Sequence, residues 1–77
     1  MISLEQTIIN KPYKVIEIRN ESSIKRRFLD IGMIPGAQIQ KVLKNPFGGI
    51  SAYSIMGATI AIRDQDAKEI KVINASI

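Results

Sequence analysis

Residues 24–36 read IKRRFLDIGMIPG, and this stretch decides how the rest of the chain is organised. Ile24, Phe28 and Ile31 recur at i, i+4 and i+7, which is the spacing of one face of an α-helix. On either side the chain has short runs rich in isoleucine and valine, which favour β-strands. The sequence therefore predicts a short helix over residues 24–31, inserted between strands, with these three side chains facing the core.

Local signals mark both ends of this helix. Ser22 or Ser23 can cap its first turn by accepting a hydrogen bond from a backbone N–H group. Gly32 can end it in a left-handed conformation. Pro35-Gly36 then suits a type II turn, in which proline presets one φ and glycine takes the positive φ that follows.

Five short strands are predicted around the helix, at the spacing expected of a small barrel or sandwich. They cover residues 13–19, 37–44, 50–56, 59–63 and 70–73. Residues 45–49 form a hairpin loop, Gly57-Ala58 a tight connection, and residues 64–69 a single helical turn. The expected fold is mostly β: a small, partly open five-stranded barrel with one short inserted helix and a helical turn before the last strand.

Strict alternation assigns faces to the strand residues. In the first predicted strand, Ile18 lies on the face opposite to Tyr13 and Val15. In the second, Leu43 lies on the same face as Ile39.

Composition limits what the chain can be. With 77 residues and 45% hydrophobic content, residues 1–77 are expected to form one globular domain. The absence of cysteine favours the cytoplasm, and neither a signal peptide nor an apolar run of about 18 residues is present. The net charge of +4 is compatible with nucleic acid, an acidic protein or a membrane surface, and does not choose among them.

The residues that carry most enzyme chemistry are missing. Without histidine and cysteine, the chain lacks the commonest general base, the best nucleophile and the usual transition-metal ligands. Asp64, Asp66 and Glu69 are the one acidic group that could hold a weak Ca²⁺ or Mg²⁺ ion. The alternative is that Asp64 caps the helical turn and the other two favour its N-terminal end. We predict a protein that is not an enzyme, with no cofactor and no metal site.

Lys25, Arg26 and Arg27 form the densest basic run. Because successive helical residues lie 100° apart, these side chains fan across the side opposite the predicted core face. They predict a partner-binding patch. The alternative is an ordinary solvated helix face, on which Arg27 pairs with Asp30 at i, i+3.

Three apolar side chains, Met33, Phe47 and Met56, lie in or beside predicted turns. Turn residues tend toward the surface, where such side chains can dock a partner. Packing into the core is the alternative for each. Met33 and Phe47 are assigned, with the basic run, to the predicted partner-binding surface.

The stretch RRFLDIGMIPG, residues 26–36, closely resembles the FeoA family, whose pattern there is R-R-L-x-x-L/I-G-hydrophobic-x-P-G. A second block, GATIAIR at residues 57–63, is similar to the family's G-x-x-I-A-L-R. It continues through Ala67, Ile70 and Val72 as the family's closing A-x-x-I-x-V. The resemblance covers nearly the whole chain.

Two places depart from the family pattern. Asn10 stands where the family usually has glycine, which is tolerable because asparagine enters left-handed conformations more readily than most residues. In the hairpin, Gly49 and Ile50 replace the family's Asp-Pro. Recognition of a partner by this hairpin is therefore expected to differ.

The resemblance implies an SH3-like barrel that serves as an accessory to FeoB, the bacterial membrane GTPase that carries Fe²⁺, by binding its cytosolic GTP-binding region. The same module resembles the C-terminal domain of iron-dependent repressors, so a free-standing regulatory module or a small nucleic-acid-binding barrel is the alternative. Nucleic-acid barrels interleave aromatic and basic residues on their strands. Only Tyr13 and Tyr53 lie on predicted strands, and no helix-turn-helix fits beside the barrel, so nucleic acid is not expected.

Overall fold

The β-branched runs form strands and the helical stretch forms a helix in the computed structural model of the chain. The structure describes residues 1–19 and 23–75, without the side chains of Ser23 and Ile24. The cap predicted at Ser22 or Ser23 and the core-facing side chain predicted for Ile24 lie outside this description. In chain order the elements are β1 (Ile2–Ser3), a 3-10 helix (Leu4–Gln6), β2 (Pro12–Ile18), α1 (Ser23–Asp30), β3 (Gln38–Lys44), β4 (Ile50–Ile55), β5 (Ala58–Arg63), α2 (Asp64–Ala67) and β6 (Ile70–Asn74).

One antiparallel sheet contains the six strands of the described residues, in the order β1-β6-β2-β3-β4-β5. All five predicted strands are present. The prediction missed β1, because a strand of two residues is too short to show alternation. Its pairing with β6 places Ile2 opposite Val72 and leaves β1 and β5 as the sheet edges.

Two β-bulges change the faces that strict alternation assigns. The register of β2 shifts just after Val15, and Ile18 consequently returns to the core, where it is buried. The register of β3 shifts just after Lys41 and leaves Leu43 64% exposed on the outer face. The faces predicted for Ile18 and Leu43 are therefore wrong, because a bulge adds one residue to one strand and reverses every side chain beyond it.

The helix α1 ends in a Schellman motif. Gly32 adopts a φ of +95°, and its N–H donates to the Leu29 carbonyl over 3.1 Å. The N–H of Met33 donates to the Phe28 carbonyl over 2.9 Å, and the Met33 side chain enters the core, where it is fully buried. Ile31 is 42% exposed instead. The helix end at Gly32 is confirmed, whereas the predicted burial of Ile31 and exposure of Met33 are wrong.

A single cluster forms the core of the described residues. Its members come from the 3-10 helix, all strands except β1, the segment after α1, and α2: Leu4, Tyr13, Val15, Ile18, Met33, Ile39, Tyr53, Ile55, Ile62, Ala67, Ile70 and Val72. Phe28 of α1 packs against this cluster while remaining half-buried. The inserted helix is thus attached to the sheet through Phe28 and Met33.

Two tight turns, each with a glycine at positive φ, connect elements around the core. The type II turn at Pro35-Gly36 is confirmed, with a φ of +92° at Gly36 and the Ala37 N–H donating to the Ile34 carbonyl over 2.9 Å. The connection between β4 and β5 is formed by Met56 and Gly57, at φ values of +50° and +78°. Gly57 is confirmed as a turn residue, but the other turn residue is Met56, because the residue after Gly57 already belongs to β5.

Candidate partner-binding surface

The basic run lies on α1, whose residues follow a polar segment and precede the Schellman motif. Arg26 and Arg27 are exposed and Lys25 is half-buried. Within residues 1–19 and 23–75 no carboxylate forms an ion pair with any of the three. The predicted alternative, an Arg27–Asp30 pair, is therefore not found, and α1 presents cations that are not neutralised by described neighbours.

Arg27 borders a small pocket between α1 and the end of β5. The pocket has a volume of about 140 Å³, and its other side carries Ala61, Arg63 and Asp66. Arg63 Nε donates to Asp66 Oδ2 over 3.2 Å, so the charge of Arg63 is partly compensated. Arg27 is thereby the cation that lies next to β5 without a carboxylate partner among the described residues.

Phe47 projects from the loop between β3 and β4 and is 96% exposed. Its N–H donates to Asn45 Oδ1 over 2.9 Å, an Asx turn that shapes the loop. The loop is also tied to α2, because the Gly49 N–H donates to Asp64 Oδ2 over 3.1 Å and the Asp64 N–H donates to the Gly49 carbonyl over 2.9 Å. Core packing of Phe47 is excluded, and the loop holds the ring in solvent.

Two of the three acidic residues of the candidate cation group, Asp64 and Asp66, have structural partners. Asp64 holds the loop at Gly49 and does not cap the helical turn as predicted, since Arg63 occupies the N-cap position. Asp66 accepts from Arg63. In the part of the chain that the structure describes, no three acidic side chains come together as a possible metal site.

An apolar groove that the sequence did not predict lies beside this loop. It has a volume of about 310 Å³ on the outer face of β3, β4 and β5, and we call it the hairpin groove. Ala52 and Ala61 are its small floor residues, and Leu43, Pro46 and Ile50 stand around them. The signal in the sequence is the pair of alanines, which the β4–β5 register places opposite each other. Leu43 joins them only because the bulge in β3 turns its side chain outward.

Met33 and Met56, the other two apolar residues predicted in or beside turns, differ in exposure. Met33 is fully buried and therefore cannot contact a partner in this conformation. Met56 is 74% exposed and packs over Gly32, where a Cβ atom would lie 2.9 Å from Met56 Cγ. The Schellman motif is the signal for Met33, because the residue after the left-handed glycine packs against the last turn of the helix.

A buried polar pair supports the sheet behind this surface. Lys41 Nζ donates to the Glu5 carbonyl over 2.9 Å and lies 5.8 Å from the centre of the Tyr53 ring. Burial, and then the charge of Lys44, lower the pKa of Lys41. Burial, and then the charge of Asp64, raise the pKa of Tyr53 to about 12. Because Lys41 binds a carbonyl of the 3-10 helix and lies against Tyr53, this pair ties the 3-10 helix to the sheet.

The family model for the FeoA domain matches residues 2–74. A FeoA-like protein from Clostridium acetobutylicum is 32% identical, with a TM-score of 0.87 over 99% of this chain and 88% of that one. Zinc-complexed FeoA from Stenotrophomonas maltophilia, described as an SH3 domain protein, is 21% identical, with a TM-score of 0.83 over 94% of this chain and 89% of that one.

A manganese-dependent transcriptional repressor is similar in fold. It is 20% identical, with a TM-score of 0.82 over 94% of this chain but only 40% of the repressor. No curated protein sequence matches the chain. The predicted SH3-like fold is confirmed. Among the described residues, no helix combines the length and apolar character needed to cross a membrane.

Proposed function

The chain belongs to the FeoA family, and we propose that it is an accessory protein of ferrous iron uptake that binds the cytosolic GTP-binding region of an FeoB-type membrane transporter. The observation that carries this proposal is the match of the FeoA domain over residues 2–74. We further propose that it acts as a single cytoplasmic domain without enzymatic activity.

The surface proposed for the partner consists of α1 and the loop that follows β3. Lys25, Arg26 and Arg27 supply positive charge, and Phe47 supplies an exposed aromatic ring; we call these four residues the helix–hairpin surface. Aromatic and arginine side chains are the residue types that most often dominate the energy of protein interfaces. The combination suits a partner with an apolar pocket and an acidic rim.

A second candidate function follows from the similarity to the transcriptional repressor. In this alternative the chain is a free-standing regulatory module, because the part of the repressor that it resembles makes up only 40% of the repressor's length. Direct binding of nucleic acid is disfavoured, since Tyr13 and Tyr53 are buried and cannot stack on bases. The accessory function remains the preferred proposal.

The test is a double substitution in the helix–hairpin surface, Arg26→Glu with Phe47→Asp. Both side chains are exposed, so the melting temperature should change little. Binding to the isolated cytosolic domain of the transporter should weaken at least about tenfold, or about 1.4 kcal/mol.

The matched control is Lys14→Glu with Ile8→Asp, which makes the same kinds of change at exposed positions outside this surface. The control should bind like the wild type. Binding that survives in the folded Arg26→Glu, Phe47→Asp variant would show that the helix–hairpin surface is not the contact.

A further inference from the structure

One side of β5 is open. The strand pairs with β4, and nothing in the described part of the chain pairs with its other side. The Asp64 N–H donates to the Gly49 carbonyl, which continues the β4–β5 ladder and fixes its alternation. Counting back from Asp64, every second residue of β5 therefore directs its N–H and C=O groups toward β4. Thr59, Ala61 and Arg63 lie between those residues and direct their N–H and C=O groups to the open side of the strand. These three exposed residues are the β5 edge.

The two faces beside the β5 edge differ in chemistry. On the outer face lies the hairpin groove, with Ala61 in its floor and Leu43 and Ile50 beside it. On the other face, α1 places Arg27 at the pocket that also includes Ala61. An apolar surface and an unneutralised cation therefore meet at the same open strand.

From this juxtaposition we propose that the β5 edge binds an extended segment of a partner protein in which apolar and acidic residues alternate. A strand added to a sheet edge makes backbone hydrogen bonds, and its successive side chains point to opposite faces. One set of side chains then enters the hairpin groove and the other set reaches toward Arg27. The alternation of apolar and acidic residues in the segment matches this division.

Charge argues against a second copy of this chain as the occupant. Pairing of two β5 edges would place the unneutralised Arg27 of both copies beside one shared edge, in a protein whose net charge is +4. A charged residue on an edge strand is also a common feature that prevents pairing between like sheets. An acidic segment is attracted by the same cations. The inference goes beyond the proposed function, since it holds whichever protein supplies the segment.

The probe is a capped nine-residue peptide in which valine and glutamate alternate. Its control has the same composition, but its valines and glutamates are segregated into two blocks. In a titration of the ¹⁵N-labelled protein, the alternating peptide should shift the amide signals of Thr59, Ala61 and Arg63 most strongly and slow their exchange with solvent. The segregated peptide should bind at least about tenfold more weakly.

Ala61→Pro removes one outward N–H group without removing a hydrogen bond to β4, because proline is compatible with the open side of an edge strand. It should weaken binding of the alternating peptide at least about tenfold. Ala61→Ser keeps both the N–H and the small side chain, and should bind like the wild type. Arg27→Glu removes the cation without altering β5 and should weaken binding, whereas Lys14→Glu should not.

Three results would overturn the proposal: no shifts at the β5 edge with millimolar peptide, equal binding of the two peptides, or full binding by a folded Ala61→Pro variant. Shifts at the β5 edge that appear with protein concentration alone would assign the edge to a second copy and would also overturn it. The transporter is absent from all these measurements, so their failure is distinguishable from failure of the proposed function.

Discussion

At the scale of single residues, Gly36 isolates the effect of backbone conformation. Its φ is +92°, and a Cβ atom added there would meet nothing within 4 Å. Gly36→Val should therefore destabilise the fold through backbone strain alone, by about 1–3 kcal/mol, because a β-branched residue is poorly tolerated at positive φ. Thermal unfolding should show a melting temperature lower by several degrees.

Gly36→Asn is the matched control for this substitution. Asparagine tolerates left-handed backbone better than other residues with a Cβ atom, as Asn10 does at a φ of +64° in this chain. The melting temperature of Gly36→Asn should lie between those of the wild type and Gly36→Val. Equal stability of Gly36→Val and the wild type would contradict the positive φ.

Tyr53 provides the clearest dependence of stability on pH. Its hydroxyl is fully buried within 3.5 Å of the Leu4 carbonyl, and its pKa in the folded state is about 12 against 10.0 in the unfolded chain. The unfolded chain therefore loses this proton first, so the contribution to stability is complete below pH 10 and is lost as the pH rises to 12. The loss amounts to about 2–3 kcal/mol.

The lowered pKa of Lys41 makes the stability rise with pH, because the folded state disfavours the charged form of this side chain. This effect ends near the unfolded value of 10.5, so above that pH the slope of stability against pH reports on Tyr53. Urea unfolding between pH 10.5 and 12 should show falling stability in the wild type and a flatter profile in Tyr53→Phe. Identical slopes in the two proteins would contradict the raised pKa of Tyr53.

At the scale of elements, the end of α1 determines which methionine is structural. Met33→Asp should destabilise the domain by about 3 kcal/mol or more, because it buries a carboxylate without a partner in the core. Met56→Asp makes the same change at a 74% exposed side chain and should alter stability by less than about 1 kcal/mol. Thermal unfolding of the two variants should separate them clearly, and a folded, stable Met33→Asp variant would place Met33 at the surface.

The elements that the sequence predicted well are those fixed by local chemistry. The helix end at Gly32 and the turn at Pro35-Gly36 depend on residues that are neighbours in the chain. The bulges after Val15 and Lys41 depend on pairing with distant strands, and no local signal gives their positions. A single bulge reverses a face, and for this reason strict alternation predicts the wrong side of the sheet for Leu43.

At the scale of the whole molecule, some parts of the candidate site depend on local sequence and others depend on the pairing of distant strands. The basic run on α1 is readable from adjacent residues, and its exposure at Arg26 and Arg27 agrees with the helical spacing. The hairpin groove combines three strands, and the β5 edge exists only because of the strand order. Such features follow from topology and register, which short patterns in a sequence do not specify.

We propose above that this FeoA-family chain binds the cytosolic GTP-binding region of an FeoB-type transporter. Titration of that isolated region into the ¹⁵N-labelled protein tests it most directly. We expect saturable binding, with the largest amide shifts at Arg26, Arg27 and Phe47 and with weaker binding as salt screens the cations. No shift at saturating concentrations would contradict it, as would tight, steeply salt-dependent binding of RNA by a chain that ignores this region.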